Sequence, residues 1–117
     1  DPERAAPPLL DILALDEAAF RARYRGTPLV RARRRGLLRN ACVAAGNWGH
    51  PAAVPALLAL LGDPEPLLRG HAAWALGRIP AAGDQVSAPL ARALAQETDP
   101  WVREEMGTAL SEARGGG

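Results

Sequence analysis

Apolar residues recur along this chain at helical spacing, three or four residues apart, and short clusters of proline, glycine and aspartate interrupt them. Residues 9–15 form one short helical pattern. Asp16 is placed to cap a second helix running from Glu17 to about Tyr24 and ended by Gly26. Thr27 and Pro28 restart the chain as a capping residue and a first helical residue, which predicts a long helix from Pro28 to Asn47. Gly36 weakens its interior by about 1 kcal/mol relative to alanine, so a kink or break is expected there. Further helices are predicted over 52–61, 66–79, 84–96 and 100–113.

From residue 28 onward the pattern repeats. Asp63-Pro64 and Asp99-Pro100 are each followed by a hydrophobic residue and an arginine, Leu68-Arg69 and Val102-Arg103. A shift of 34 residues carries Leu68, Ala72, Leu76 and Ile79 onto Val102, Met106, Leu110 and Ala113, and a shift back of 31 carries them onto Leu37, Ala41, Ala45 and Trp48. Such spacing forms one stripe on a helix, so each copy presents the same apolar face. A period in the thirties with small contact residues predicts a short right-handed α-solenoid, each repeat burying its face only against its neighbours. Residues 1–27 read as an N-terminal helical cap, 28–114 as the repeats and 115–117 as a flexible glycine tail, one structural domain in all.

Composition supports an all-α chain. Alanine and leucine fill 42 of 117 positions against ten for valine, isoleucine and threonine together, and β-branched residues are the ones that favour strands. The net charge of +1 hides an uneven distribution. Residues 1–17 carry −4, residues 18–62 carry +8 without a single acid, and residues 63–117 carry −3. The middle block cannot neutralise its arginines locally and presents a positive field to a partner. All 14 basic residues are arginine.

Arg31, Arg33, Arg34, Arg35 and Arg39 are the strongest site candidates, because guanidinium groups match phosphate oxygens bidentately and stack on bases. The repeat register defines a second, polar row beside the apolar stripe: Asn40, Val43 and Asn47, then His71, Trp74 and Arg78, then Glu105, Thr108 and Glu112. Hydrogen-bonding and stacking groups of this kind suit single-stranded RNA loops. Trp74 has packing against the neighbouring repeat as an equal alternative, and Trp48 falls in the core stripe. Catalysis and metal binding find no support. The two histidines have no ligand at metal spacing, lone Cys42 reads as a small helix-interior apolar residue, and Glu104-Glu105 diverge around the helix. No apolar run is long enough to span a bilayer and no signal pattern opens the chain, so a cytoplasmic, monomeric protein is expected. Beginning at Asp1 and ending in three glycines, the chain reads as part of something longer.

With these residues in hand, the stretch 20–79 resembles the C-terminal HEAT-like region of the tRNA epoxyqueuosine reductases. The resemblance rests on Phe20 to Pro28 (FRARYRGTP), Arg34 to Asn40 (RRGLLRN), Ala45-Gly46-Asn47, Val54 to Leu57 (VPAL) and, most specifically, Leu67 to Gly77 (LLRGHAAWALG). It implies a parent enzyme that reduces epoxyqueuosine to queuosine at the tRNA wobble base with two [4Fe–4S] clusters and cobalamin. Those cofactors belong to upstream domains in the family, and with one cysteine this chain departs from them completely. What the resemblance assigns here is a tRNA-facing part, with Arg39, Asn40, Asn47, Arg69, His71 and Trp74 at the matching positions. Arg69 has a structural alternative, pairing with Asp63 of the preceding turn. The expectation is an anticodon-arm-binding module without catalysis of its own, working with upstream catalytic domains. A protein-interaction scaffold that meets an acidic partner stands as the alternative, and a DNA-binding groove is opposed by Glu105 and Glu112.

Overall fold

The computed structural model describes residues 9–15, 18, 22, 30–80 and 83–115. The long helix forms as α1 (Val30–Trp48), unbroken through Gly36. Gly49 ends it with a left-handed φ of 71°, its N–H bonded to the Ala45 carbonyl at 3.0 Å. The helix expected over 52–61 opens instead as a 3-10 turn, Pro51–Ala53, and becomes α-helical only as α2 (Val54–Leu60). Pro55 has no N–H to offer the Pro51 carbonyl, so the tighter bond from Val54 takes that carbonyl. His50 caps this segment, its Nδ1 accepting from the Ala52 N–H at 2.9 Å.

Three further helices follow: α3 (Pro66–Gly77), α4 (Gly83–Gln96) and α5 (Pro100–Ala113). Pro66 and Pro100 sit where a missing N–H costs nothing, and Asp99 caps α5 by accepting from the Val102 N–H at 3.0 Å. Helix α3 packs between α1 and α5, while α2 and α4 lie against α3 and α5 respectively. The result is a two-layer helical repeat with α1, α3 and α5 side by side in one layer. Helical residues 9–13 sit against the core through buried Leu13. The second cap helix expected over 17–24 and the Thr27-Pro28 start lie outside the described residues, apart from isolated positions 18 and 22.

The apolar stripe is the core. Leu68, Ala72, Leu76 and Ile79 are buried, as are Val102, Met106 and Leu110, and Ala113 is half-buried. In the first copy Leu38 takes the core position in place of half-buried Leu37. Each fully buried leucine contributes about 1.5–3 kcal/mol.

Polar bonds at the same period tie the repeats together. Arg34 donates from Nε to the Leu15 carbonyl at 3.3 Å and forks both terminal nitrogens onto the Asp63 carboxylate. Arg69 bonds the Asp63 and Pro64 carbonyls at 2.9 and 3.2 Å and grips both Glu97 oxygens at 2.7 and 2.9 Å. Arg103 reaches the Leu94 and Glu97 carbonyls at 2.9 and 2.8 Å. Each arginine thus fastens the chain before its own helix, and the first two also hold an acid from the turn that opens the next repeat. The expected partner of Arg69 is corrected accordingly: the Asp63 carboxylate belongs to Arg34, and Arg69 takes Glu97.

Candidate nucleic-acid interface

The polar row lies on the layer formed by α1, α3 and α5. On α1, Asn40, Val43 and Asn47 are exposed, at intervals of three and four residues that keep them on one face. Exposed Arg39 donates to the Asn40 Oδ1 from Nε and Nη2 at 3.4 and 3.2 Å, which fixes that amide with its own N–H groups free to donate. Arg33 is exposed one heptad before Asn40.

On α3 the row is built around aromatic rings that rest on glycines. The Trp74 ring lies against Gly46 of α1, so closely that a Cβ there would stand 2.6 Å from it, and the Arg78 guanidinium sits over the same indole at 5.2 Å. Trp101, in the first turn of α5, lies on Gly70 in the same manner and remains 39% exposed. Its ring tilts against His71 with centroids 5.5 Å apart. His71 Nδ1 is 2.8 Å from the Leu67 carbonyl. A carbonyl only accepts, so Nδ1 carries the proton, and in the neutral tautomer that this bond selects Nε2 is an acceptor.

These groups frame a hollow of about 200 Å³ lined by Val43, His71, Trp74, Trp101 and Glu105. It shares Trp74 and Glu105 with a second hollow of about 330 Å³ that runs to Arg78, Thr108 and Glu112. The face is therefore continuous across three helices and polarised, with arginines toward α1 and the end of α3 and carboxylates along α5.

The predicted site residues separate into groups. Arg33, Arg39, Asn40, Asn47, His71, Trp74 and Arg78 are available on the surface or line these hollows. Arg34 is 4% exposed and bound to Asp63, and Arg69 is bound to Glu97, so both are corrected from RNA contacts to fold-forming residues. Arg35 turns toward Glu65 in the α2–α3 turn, 3.8 Å away, rather than toward the row. The Arg31 side chain lies outside the described residues. Trp101 was missed as a site residue. Its signal was the tryptophan–glycine spacing, 31 residues to Gly70 against 28 from Trp74 to Gly46.

Cys42 is fully buried, and burial first and Asp63 second push its thiol up to about 12. One thiol so placed cannot supply the several thiolates an iron–sulfur cluster takes, so the chain's residues do not fit that group. Among the described residues no three His, Cys, Asp or Glu side chains converge on a metal position, and no helix is long and apolar enough to cross a membrane.

A family model of HEAT repeats matches residues 28–111, most of the chain and every helix of the two layers. The chain belongs to the HEAT-repeat family. This HEAT-repeat chain is 35% identical to an epoxyqueuosine reductase of Bacillus cereus over 111 residues, covering 94% of itself and 29% of that protein. It is 34% identical to the epoxyqueuosine reductase of Bacillus subtilis over 119 residues, covering 98% of itself and 30% of the relative. A crystal structure of an epoxyqueuosine reductase with an epoxyqueuosine-modified tRNA-Tyr stem loop superposes with a TM-score of 0.74 at 30% identity, over 97% of this chain and 30% of that one. The HEAT-repeat chain is thus homologous to one region of the epoxyqueuosine reductases and spans about 30% of their length.

Proposed function

We propose that this HEAT-repeat chain binds the anticodon arm of a tRNA and holds it for a reductase centre carried by other domains, where epoxyqueuosine is reduced to queuosine at the wobble base. The observation that carries the reading is the single face on which Arg33, Arg39 and Arg78 flank Trp74, His71 and Asn47. Arginines at the margin neutralise backbone phosphates, the exposed Trp101 beside half-buried Trp74 stacks an unpaired base, and the amides supply hydrogen bonds that do not depend on charge. The solved relative with a tRNA stem loop supports it. In this reading the [4Fe–4S] clusters and cobalamin of the parent enzyme are held by its other domains, and the chain acts as a monomeric, cytoplasmic module.

The test is charge reversal followed by fluorescence anisotropy with an anticodon-arm RNA hairpin. Arg33→Glu, Arg39→Glu and Arg78→Glu together are expected to weaken binding by roughly two orders of magnitude. Reversing Arg92 on α4 and Arg114 at the end of α5, both exposed, is expected to change it less than about threefold. Equal losses from the two sets, or no hairpin binding by the wild-type chain at low salt, overturn the proposal.

A further inference from the structure

The hollow between α3 and α5 has a chemistry that phosphate binding does not explain. Its walls are two indoles and an imidazole, the indole N–H groups are its donors, and the Glu105 carboxylate and, in the neutral tautomer, His71 Nε2 are its acceptors. A phosphate is repelled there and a flat, neutral, donor-bearing ring is favoured. Trp101 keeps 39% exposure on a glycine seat, which leaves its indole presented rather than packed away.

We propose that this hollow receives one unstacked nucleobase that enters with an exocyclic amino group, so that adenine, cytosine and guanine are preferred over uracil, whose ring N–H is flanked by two carbonyl oxygens that the carboxylate repels. The exposed Trp101 stacks the base while Trp74 walls the hollow, and Glu105 with His71 Nε2 accepts hydrogen bonds from its amino group. Acceptor pairs of this kind read base edges, and a good contact discriminates by about tenfold or more. The polarity of the face sets the direction of the strand: the backbone lies over the arginines near α1 and the base points toward α5. The inference rests on the RNA reading of the face but concerns a different group of residues from the phosphate-facing arginines.

The full chain supplies its own probe in three indole N–H resonances. Adenosine, cytidine, guanosine and uridine are titrated separately while Trp74, Trp101 and Trp48 are followed by NMR. Trp48 stacks on His50 at 4.5 Å outside the hollow and serves as the internal control. Amino-bearing nucleosides are expected to shift Trp74 and Trp101 at about tenfold lower concentration than uridine and to leave Trp48 in place. Glu105→Gln is expected to bring the nucleosides within about twofold of one another, because the amide offers a donor to uridine as readily as an acceptor to an amine. Equal responses to all nucleosides, movement of Trp48 with the others, or a preference unchanged by Glu105→Gln overturns the inference. The wild-type chain is then tested on the anticodon-arm hairpin. Nucleoside discrimination without hairpin binding retains the pocket and rejects the tRNA reading, and hairpin binding without discrimination does the reverse.

Discussion

Arg33 and Arg34 stand one residue apart on α1, and a step of about 100° around the helix gives them opposite roles. Arg33 is exposed beside the polar row, whereas Arg34 is buried on Asp63. Arg34→Met leaves a buried carboxylate without its partner and is expected to cost about 3 kcal/mol in urea denaturation. Arg33→Gln is expected to stay within about 0.5 kcal/mol of wild type while weakening RNA binding. The second ion pair has a pH signature. Its arginine hydrogen bonds hold Glu97 below the ordinary 4.5. A carboxylate depressed by folding contributes fully above its unfolded value, and the contribution is lost as pH falls below about 4.5 toward the folded value. Urea midpoints taken down to about pH 3 should therefore fall more steeply for wild type than for Arg69→Gln. Cys42 was legible from its place in an apolar helix interior. Arg34 was not, because its role depends on an aspartate 29 residues away that only the packed repeat brings to it.

At the scale of the element, glycines divide by what faces them. Gly36 has nothing within 4 Å of an added Cβ, and α1 runs straight through it, so Gly36→Ala is expected to stabilise the chain by about 0.5–1 kcal/mol. Gly46 and Gly70 are seats for Trp74 and Trp101, and a methyl group at either displaces the ring. Gly46→Ala and Gly70→Ala are expected to lower hairpin affinity about fivefold or more through lost stacking, although alanine favours the helix in both. Helix types and most boundaries were readable from periodicity and punctuation, and α5 begins and ends where predicted. The 3-10 opening before α2 needed two prolines four residues apart to be weighed as one local constraint.

Across the whole molecule, the repeat was visible as a period because each copy buries the same stripe, and the acid-free stretch of the sequence contains the exposed Arg33 and Arg39. The sequence alone could not show that the face is polarised across three helices, since Trp101 and Glu105 join Trp74 only when α5 packs on α3. In the proposed function, exposed arginines on this face, and not the ones built into the fold, hold a tRNA anticodon arm. The most direct measurement is the slope of log Kd against log salt concentration for an anticodon-arm hairpin, in wild type and in single glutamine variants. A slope that decreases in magnitude by about one for each of Arg33→Gln, Arg39→Gln and Arg78→Gln, with Arg35→Gln unchanged, is the predicted result. A slope that none of the three variants alters, or a chain that binds no hairpin at low salt, rules out these arginines as phosphate contacts.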